Sequence, residues 1–364
     1  MKHLNYIYQI AFTQLFGIGP VRAKRLLKIL DSPNDFFELS LPELQQKTSV
    51  SLKQLELTNR AAALLAAQTQ EPYLCRNDIQ YYFTSDPTFP EKLKECEDGP
   101  LGLFYRGTKP VWNQQRTLAI VGTRQESNYG KQLVKELLTA LPKDILIVSG
   151  LAQGVDADVH EQALKCGLQT IGVLGHGLDR IYPAKHRDLA LAMTKQGGLL
   201  SEFLVGTRAE RMHFPMRNRI IAGLSDAVVV IESKKNGGSL ITAELANDYN
   251  REVCAFPGAV HYPHSEGCNA LIKANKAHLI NDAHDLLKLL SWETTSPKIP
   301  SPSQLLNAKQ QAIFQLFRTQ NMWSIDELAI QLQKPVAEIS TLLFELELLE
   351  QIQHLGANRY KLPI

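Results

Sequence analysis

Between about Leu118 and Ile280 the chain repeats one pattern. Seven apolar runs, TLAIVG, ILIVSG, TIGVLG, GLLSEF, AVVVIES, EVCAFPG and HLI, are mostly set apart by helical stretches of ten or more residues. A strand that is apolar along its whole length needs cover on both faces, and strands alternating with helices supply it. The pattern predicts an α/β fold, a Rossmann-like doubly wound parallel sheet. Two further β-prone runs, Ile79 to Thr84 and Leu101 to Tyr105, surround a helical stretch opened by Pro90. They extend the expected domain to residues 76–290.

The flanks read differently. Residues 1–75 contain IAFTQLFGIGPVRAKRLLKIL, SLPELQQKT and LKQLELTNRAAALLAAQ. These are short helices joined by tight turns, as in a small helix-hairpin-helix or SAM-like domain. Residues 291–304, SWETTSPKIPSPSQ, are rich in Ser, Thr and Pro and read as a linker. Residues 305–364 hold three helical patterns and QIQHLGANRYKL, two strand-like runs about Gly356, Ala357 and Asn358. Three helices and a hairpin predict a winged helix. Ser324 and Glu327 are spaced as a capping box for its second helix, and Pro335 suits the first turn of its third.

Charge narrows the possible ligands. The 39 Lys and Arg nearly balance the 37 Asp and Glu, for a net +2. No overall field draws this chain to nucleic acid, so phosphate binding has to come from local clustering. The five cysteines are odd in number and form no C-x-x-C pair, which argues against a zinc site or a disulfide framework. The first ten residues, MKHLNYIYQI, lack the apolar core of a signal peptide, and runs such as Ala61 to Ala67 are too short to span a bilayer. A protein of the reducing cytoplasm, without membrane contact, is expected.

Ligands of an open parallel sheet sit outside the carboxyl ends of its strands. TLAIVG leads into Gly122, Thr123 and Arg124, then Ser127 to Gly130 at a helix start. ILIVSG ends in Ser149 and Gly150 and leads into Leu151 to Gly154. AVVVIES leads through Lys234 and Lys235 into Asn236, Gly237, Gly238 and Ser239, which open another helix. Glycine allows close approach of the backbone, and free helix N-terminal N–H groups meet an anion. Three such loops on one edge predict a phosphate site. The G-x-G-x-x-G fingerprint is missing, since the next glycine after Gly122 is Gly130. The acidic residue that would hold a ribose and the Walker A pattern are missing too. No dinucleotide or other cofactor is implied.

The densest basic feature is HFPMRNRIIAGLS, preceded by Arg211. Arg217 and Arg219 flank Asn218. In an extended segment residues i and i+2 face the same way, so the two guanidiniums would fork onto neighbouring phosphates. The alternative is a pair of surface arginines in helix salt bridges. Phe214, and less directly Tyr129, could supply a ring for base stacking; the competing reading of Phe214 is a core residue.

At this point a resemblance becomes specific. IVGTR, SGLAQGVDADVHEQAL, FPMRNRIIAGLSDAVVVIES, NGGSLITAELA and FPGAVHYPHSEGCNALIK, in this order, resemble the DNA-processing protein A family (DprA, also called Smf). FTSDPTFPEKLKECEDGPLGLFYRG is similar to the segment that the family carries just ahead. Val159 replaces an alanine of the family pattern, and ANKAH replaces a glycine-alanine after NALIK. The resemblance implies a non-enzymatic protein that binds and protects single-stranded DNA. It also implies loading of RecA recombinase during natural transformation, and a homodimer made through the Rossmann-like domain. Arg124, Arg217 and Arg219 are implied to line the phosphate pocket. The expected site is then Gly122, Thr123, Arg124, Ser149, Gly150, Phe214, Arg217, Asn218, Arg219, Asn236, Gly237, Gly238 and Ser239.

Other signals compete with it. NGGSLITAE resembles the P-G-G-x-G-T-x-x-E loop of nucleoside-monophosphate phosphoribohydrolases of the LOG type, with Glu244 as the acid. The proline is missing, and Leu240 stands where the last glycine falls. A transcription factor with a sensor domain is a third class. Against it, Ser324 to Gln351 carries Asp326, Glu327, Glu338, Glu345, Glu347 and Glu350 but only Lys334, a sign that repels DNA. That winged helix is expected to contact protein or to regulate. Arg22, Lys24 and Arg25 after Gly17-Ile18-Gly19 fit either a phosphate-contacting hairpin or a packing turn. Asp156 and His160, four apart, fit a local pair or a helix-start contact better than a metal site. His261, His264 and Cys268 look metal-like in a row, but the resemblance implies a loop that ends at a helix start rather than a zinc site.

Overall fold

A computed structural model of the chain describes residues 2–293, 307–320, 322–348, 352–356 and 358–361. The chain divides into two units, Met1–Trp292 and Glu293–Ile364. Of the expected linker, residues 294–304 lie outside the described ones.

The described part of the first unit is built on one sheet. Its strands are β1 (Gln80–Phe83), β2 (Gly102–Gly107), β3 (Arg116–Val121), β4 (Ile145–Ser149), β5 (Thr170–Val173), β6 (Gly197–Ser201), β7 (Ala227–Val230), β8 (Glu252–Ala255) and β9 (His278–Leu279). They lie in the order β1-β2-β6-β5-β4-β3-β7-β8-β9. From β6 to β9 every pairing is parallel, while β1 and β2 add an antiparallel edge. All seven apolar runs are strands of this sheet, and the two β-prone runs are its edge.

Strand β3 shows why the sheet is covered twice. Leu118 and Ile120 share a buried cluster with Leu133, Val134 and Leu137 of helix Asn128–Ala140. Ala119 and Val121 share another with Ile220, Ile221 and Leu224 of helix His213–Leu224. Side chains along a strand alternate between faces, so an unbroken apolar run feeds two cores at once. The amino-terminal helices pack at the sheet's other end. Ile10, Phe12, Phe36 and Leu44 are buried in one cluster with Phe83, Leu101, Phe104 and Leu199.

The amino-terminal hairpin turns at Gly17, whose φ of 73° suits glycine, and helix Pro20–Leu27 follows. Lys24 turns inward and donates to the Cys96 carbonyl at 2.5 Å, and Arg25 lies 3.6 Å from Glu97. Two of the hairpin's three cations therefore face the segment ahead of β2, and Arg22 is exposed.

The second unit has helices Ala308–Thr319, Ile325–Leu332 and Val336–Leu348, with β10 (Met322–Ser324), β11 (Gln353–Gly356) and β12 (Arg359–Lys361) in the order β10-β12-β11. This is a winged helix around Ile313, Phe317, Leu328, Leu343 and Leu346. Ser324 and Glu327 form the expected capping box, and the Pro335 carbonyl accepts from Ile339 in the opening turn of the third helix. Strand β10 is an addition, too short to stand out in the sequence. Among the described residues no helix is long and apolar enough to cross a membrane.

Candidate functional site

A crevice of about 740 Å³ opens outside the carboxyl ends of β3 and β7, where the strand order reverses. Ten of the thirteen expected residues line it: Gly122, Thr123, Arg124, Phe214, Arg217, Asn218, Asn236, Gly237, Gly238 and Ser239. Ser149, Gly150 and Arg219 do not.

The three loops are not equally open to an anion. The helix after β3 is already capped, because the Ser127 hydroxyl accepts from the Gly130 N–H. Ser127 in turn donates its own N–H and O–H to Glu232. In the loop after β4, the Ala152 N–H donates to Asp156. The loop after β7 is different. Helix Gly238–Asp248 starts at Gly237 with no side-chain cap, leaving its first N–H groups to face the crevice. Asn218 ties that loop to the arginine helix, 3.5 Å from the Gly238 carbonyl, and Ser239 donates to Ser233 beneath it.

The crevice wall carries Arg124, Arg211, Arg217 and Lys234 against a single acid, Asp156. Among the described residues, Arg124, Arg211 and Lys234 make no ion pair. Arg124 lies over the Phe214 ring, 5.3 Å from its centroid. Phe214 is half-buried at the wall rather than a core residue. Tyr129 is exposed, but its hydroxyl is held by the Pro257 carbonyl and it does not line the crevice.

The expectation that Arg217 and Arg219 share a face is corrected. Both lie on helix His213–Leu224, not on an extended segment. At about 100° per residue, positions two apart on a helix point to nearly opposite sides. Arg217 turns to the crevice floor, donates to the Val173 carbonyl at 2.8 Å and is only 5% exposed. Arg219 turns away. It donates to the Asp98 carbonyl at 2.6 Å and pairs with Glu202, Arg219 being buried and Glu202 largely so. Asp98 also accepts from Tyr249. The salt-bridge alternative therefore holds for Arg219, in a buried rather than a surface form.

Ser149 and Gly150 act from below. Ser149 is fully buried and donates to the Ile120 carbonyl. A Cβ on Gly150 would lie 2.0 Å from Arg217 Nη1 and 2.2 Å from Asp156 Oδ2. The missing side chain is what lets the guanidinium and the carboxylate both approach this point. Burial raises the Asp156 carboxyl above its ordinary range, and Arg217 opposes that shift.

Asp156 and His160 do not pair with each other. His160 is fully buried, with Nε2 on the Gly150 carbonyl at 2.5 Å and Nδ1 2.7 Å from the Thr170 hydroxyl. Burial pushes its pKa down to about 4, so it is neutral at physiological pH. In the other His/Cys group, Cys268 is buried against the Val230 carbonyl and the His264 ring lies against Tyr262. Glu244, the acid of the hydrolase reading, is exposed, 3.8 Å from Lys276, and does not line the crevice.

The sequence reading missed Tyr182. It lines the crevice, and its ring centroid is 6.1 Å from that of Phe214. The signal was there, because residues 174–183 follow the carboxyl end of β5, a position where ligand loops occur.

Comparison with known proteins agrees with this architecture. The family model described as DNA recombination-mediator protein A matches residues 80–291, and the one described as DprA winged helix domain matches residues 296–358. Protein Smf of Synechocystis sp. is 36% identical over 295 residues, covering 80% of this chain and 74% of that protein. The crystal structure of DNA processing protein A from Streptococcus pneumoniae superposes with a TM-score of 0.67 at 32% identity, over 78% of this chain and 97% of that one. DNA processing protein A from Helicobacter pylori, whose structure was described for its single-stranded DNA binding mode, gives 0.53 at 29% identity, over 58% and 96%.

Proposed function

This chain belongs to the DNA recombination-mediator protein A family, and from that premise we propose that its crevice binds the backbone of single-stranded DNA. The observation that carries the reading is the charge of the wall. Four cations and one acid surround an uncapped helix start, with Phe214 and Tyr182 at the same wall. Phosphates meet the cations and the free N–H groups, and rings offer sequence-independent stacking. The reading extends to protection of the bound strand and to loading of RecA recombinase during natural transformation, by a homodimer formed through the Rossmann-like domain.

The test is binding of a single strand and of a duplex over a salt series. The single strand is expected to bind more tightly, with log K falling by ~0.7 per log unit of salt for each phosphate neutralised. Arg124→Ala is expected to weaken binding roughly 10- to 100-fold, as for loss of a charge-assisted hydrogen bond, and to flatten the slope by about one phosphate. Equal slopes for the two proteins would remove Arg124 from the site. Release of free base from nucleoside monophosphates would instead favour the hydrolase.

The winged helix is proposed to meet protein, not duplex DNA. Its third helix exposes Val336, Phe344 and Glu347, and Glu338 already engages Lys309 and Lys334. A segment from Ser303 to Ile364 is expected to show no tight, salt-sensitive binding to duplex oligonucleotides in fluorescence anisotropy. Such binding would reverse the assignment.

A further inference from the structure

Arg124 reaches the crevice from the loop after β3, so whatever holds that loop decides where its guanidinium lies. The loop is held from two sides. On one, the Thr123 carbonyl accepts from the Val155 N–H at 3.2 Å, and Gly154 packs so closely that a Cβ there would lie 2.8 Å from Arg124 Cα. On the other stands Glu232, just beyond β7. Its Oε2 accepts from the Ser127 N–H at 3.0 Å and its Oε1 from the Ser127 hydroxyl at 2.6 Å. Lys234 adds a bond from Nζ to Gln125 Oε1 at 2.8 Å. Strands β3 and β7 are parallel neighbours, so these three bonds lace together the two loops on which Arg124 and the uncapped helix start are carried.

A carboxylate is a costly choice for that brace. Glu232 is 1% exposed and makes no ion pair among the described residues. Burying a charge without a counter-charge carries a desolvation cost that a neutral side chain avoids. It also places an acid near a wall that carries four cations. What a carboxylate supplies, and an amide does not, is two acceptor oxygens, one for each Ser127 donor. Both bonds are then of the stronger, charge-assisted kind. Gly130 makes room for it, since a Cβ at that position would lie 2.5 Å from Glu232 Oε2.

We propose that Glu232 is a positioning residue for the crevice. It fixes the loop from Gly122 to Ser127 so that Arg124 and the start of helix Gly238–Asp248 engage one strand together. The inference rests on the single-strand reading above. Glu232 does not line the crevice, so it acts through Arg124 and not by touching DNA. Its sign is what sets the proposal apart. If the acid acted on the strand directly, removing it would favour a polyanion and tighten binding. As a brace, its removal weakens binding, because the loop no longer presents the guanidinium.

The test is a mutant cycle read by affinity and by salt slope. Full-length wild type, Glu232→Gln, Ser127→Ala, Arg124→Ala and the double variant Arg124→Ala/Glu232→Gln are titrated with oligothymidylate over a salt series. Glu232→Gln is expected to weaken binding roughly 3- to 10-fold, part of the loss expected for Arg124→Ala, and to flatten the slope toward that variant's. Ser127→Ala keeps every charge and loses one of the two bonds, so it should shift affinity and slope in the same direction by less. It carries the test if Glu232→Gln does not fold. The double variant should bind no more weakly than Arg124→Ala, because the two residues act as one unit. Unchanged or tighter binding by Glu232→Gln and Ser127→Ala overturns the positioning role and leaves the single-strand reading standing, and so do losses that add in the double variant. Failure of the wild type to bind oligothymidylate overturns that reading, and this one with it.

Discussion

Arg219→Leu is expected to lower the stability of the first unit by about 3–5 kcal/mol and to leave the salt slope of DNA binding unchanged. The reason is what stays behind. The Glu202 side chain is only 13% exposed, this desolvation already raises its carboxyl above the ordinary range, and Arg219 is its ion-pair partner. Removing the guanidinium strands that carboxylate and frees the Asp98 carbonyl. Replacing both members, as in Glu202→Leu with Arg219→Leu, should recover much of the loss, because a buried pair often contributes little beyond its apolar equivalent. Denaturant midpoints of the two single variants and the double variant check this. Affinity for single-stranded DNA could soften, since Arg217 lies on the same helix. The slope should not, because the slope counts phosphates and Arg219 faces away from the crevice. A flattening equal to that expected for Arg124→Ala would put Arg219 on the DNA.

Arg219 also marks where the sequence stops being informative. The sheet could be read because its signal is local: seven apolar runs, each bounded by turn or helix residues, became β3 to β9. The loops could be read because a sheet fixes where its strand ends lie. The direction of an arginine could not. HFPMRNR has Pro215 near its start and no side-chain cap, so little in it announces a helix. Once the period is taken as two instead of 3.6, both guanidiniums fall on one side. Glu202, the residue that claims Arg219, is 17 positions away on another element. The partners of Ser127 and Lys24 are similarly remote, at Glu232 and Cys96. Tyr182 was overlooked for a different reason, because an irregular loop has no period to follow.

The other arginine of the helix should fail in a pH-dependent way. Arg217→Met leaves Asp156, 9% exposed, without the opposite charge that faces it over Gly150. A stranded carboxylate can escape by taking a proton, and that sets a ceiling. Holding an aspartic acid neutral at pH 7, against an unfolded pKa near 4, costs about 4 kcal/mol. The variant is therefore expected to lose less than this ceiling at neutral pH, because wild type, with Asp156 already raised, carries part of the cost. The direction with pH follows from proton counting. Burial without Arg217 lifts the folded pKa of Asp156 further above its unfolded value, so the folded state binds the extra proton. Stability relative to wild type is then best below the folded pKa that Asp156 has in wild type, itself above the ordinary range, and declines as pH rises from there toward the variant's higher value. Asp156→Asn in the Arg217→Met background removes the titrating group and should flatten the curve. The comparison has to be made as a difference from wild type at each pH. Neutral, buried His160 is present in all of these proteins, and its depressed pKa of about 4 makes every one of them less stable as pH falls below 6.5. A deficit of the same size at pH 4 and at pH 7 would mean that the buried carboxylate is not what Arg217 holds in check. Gly150 would then be small only to admit the arginine, and the crevice floor would owe its charge to Arg217 alone.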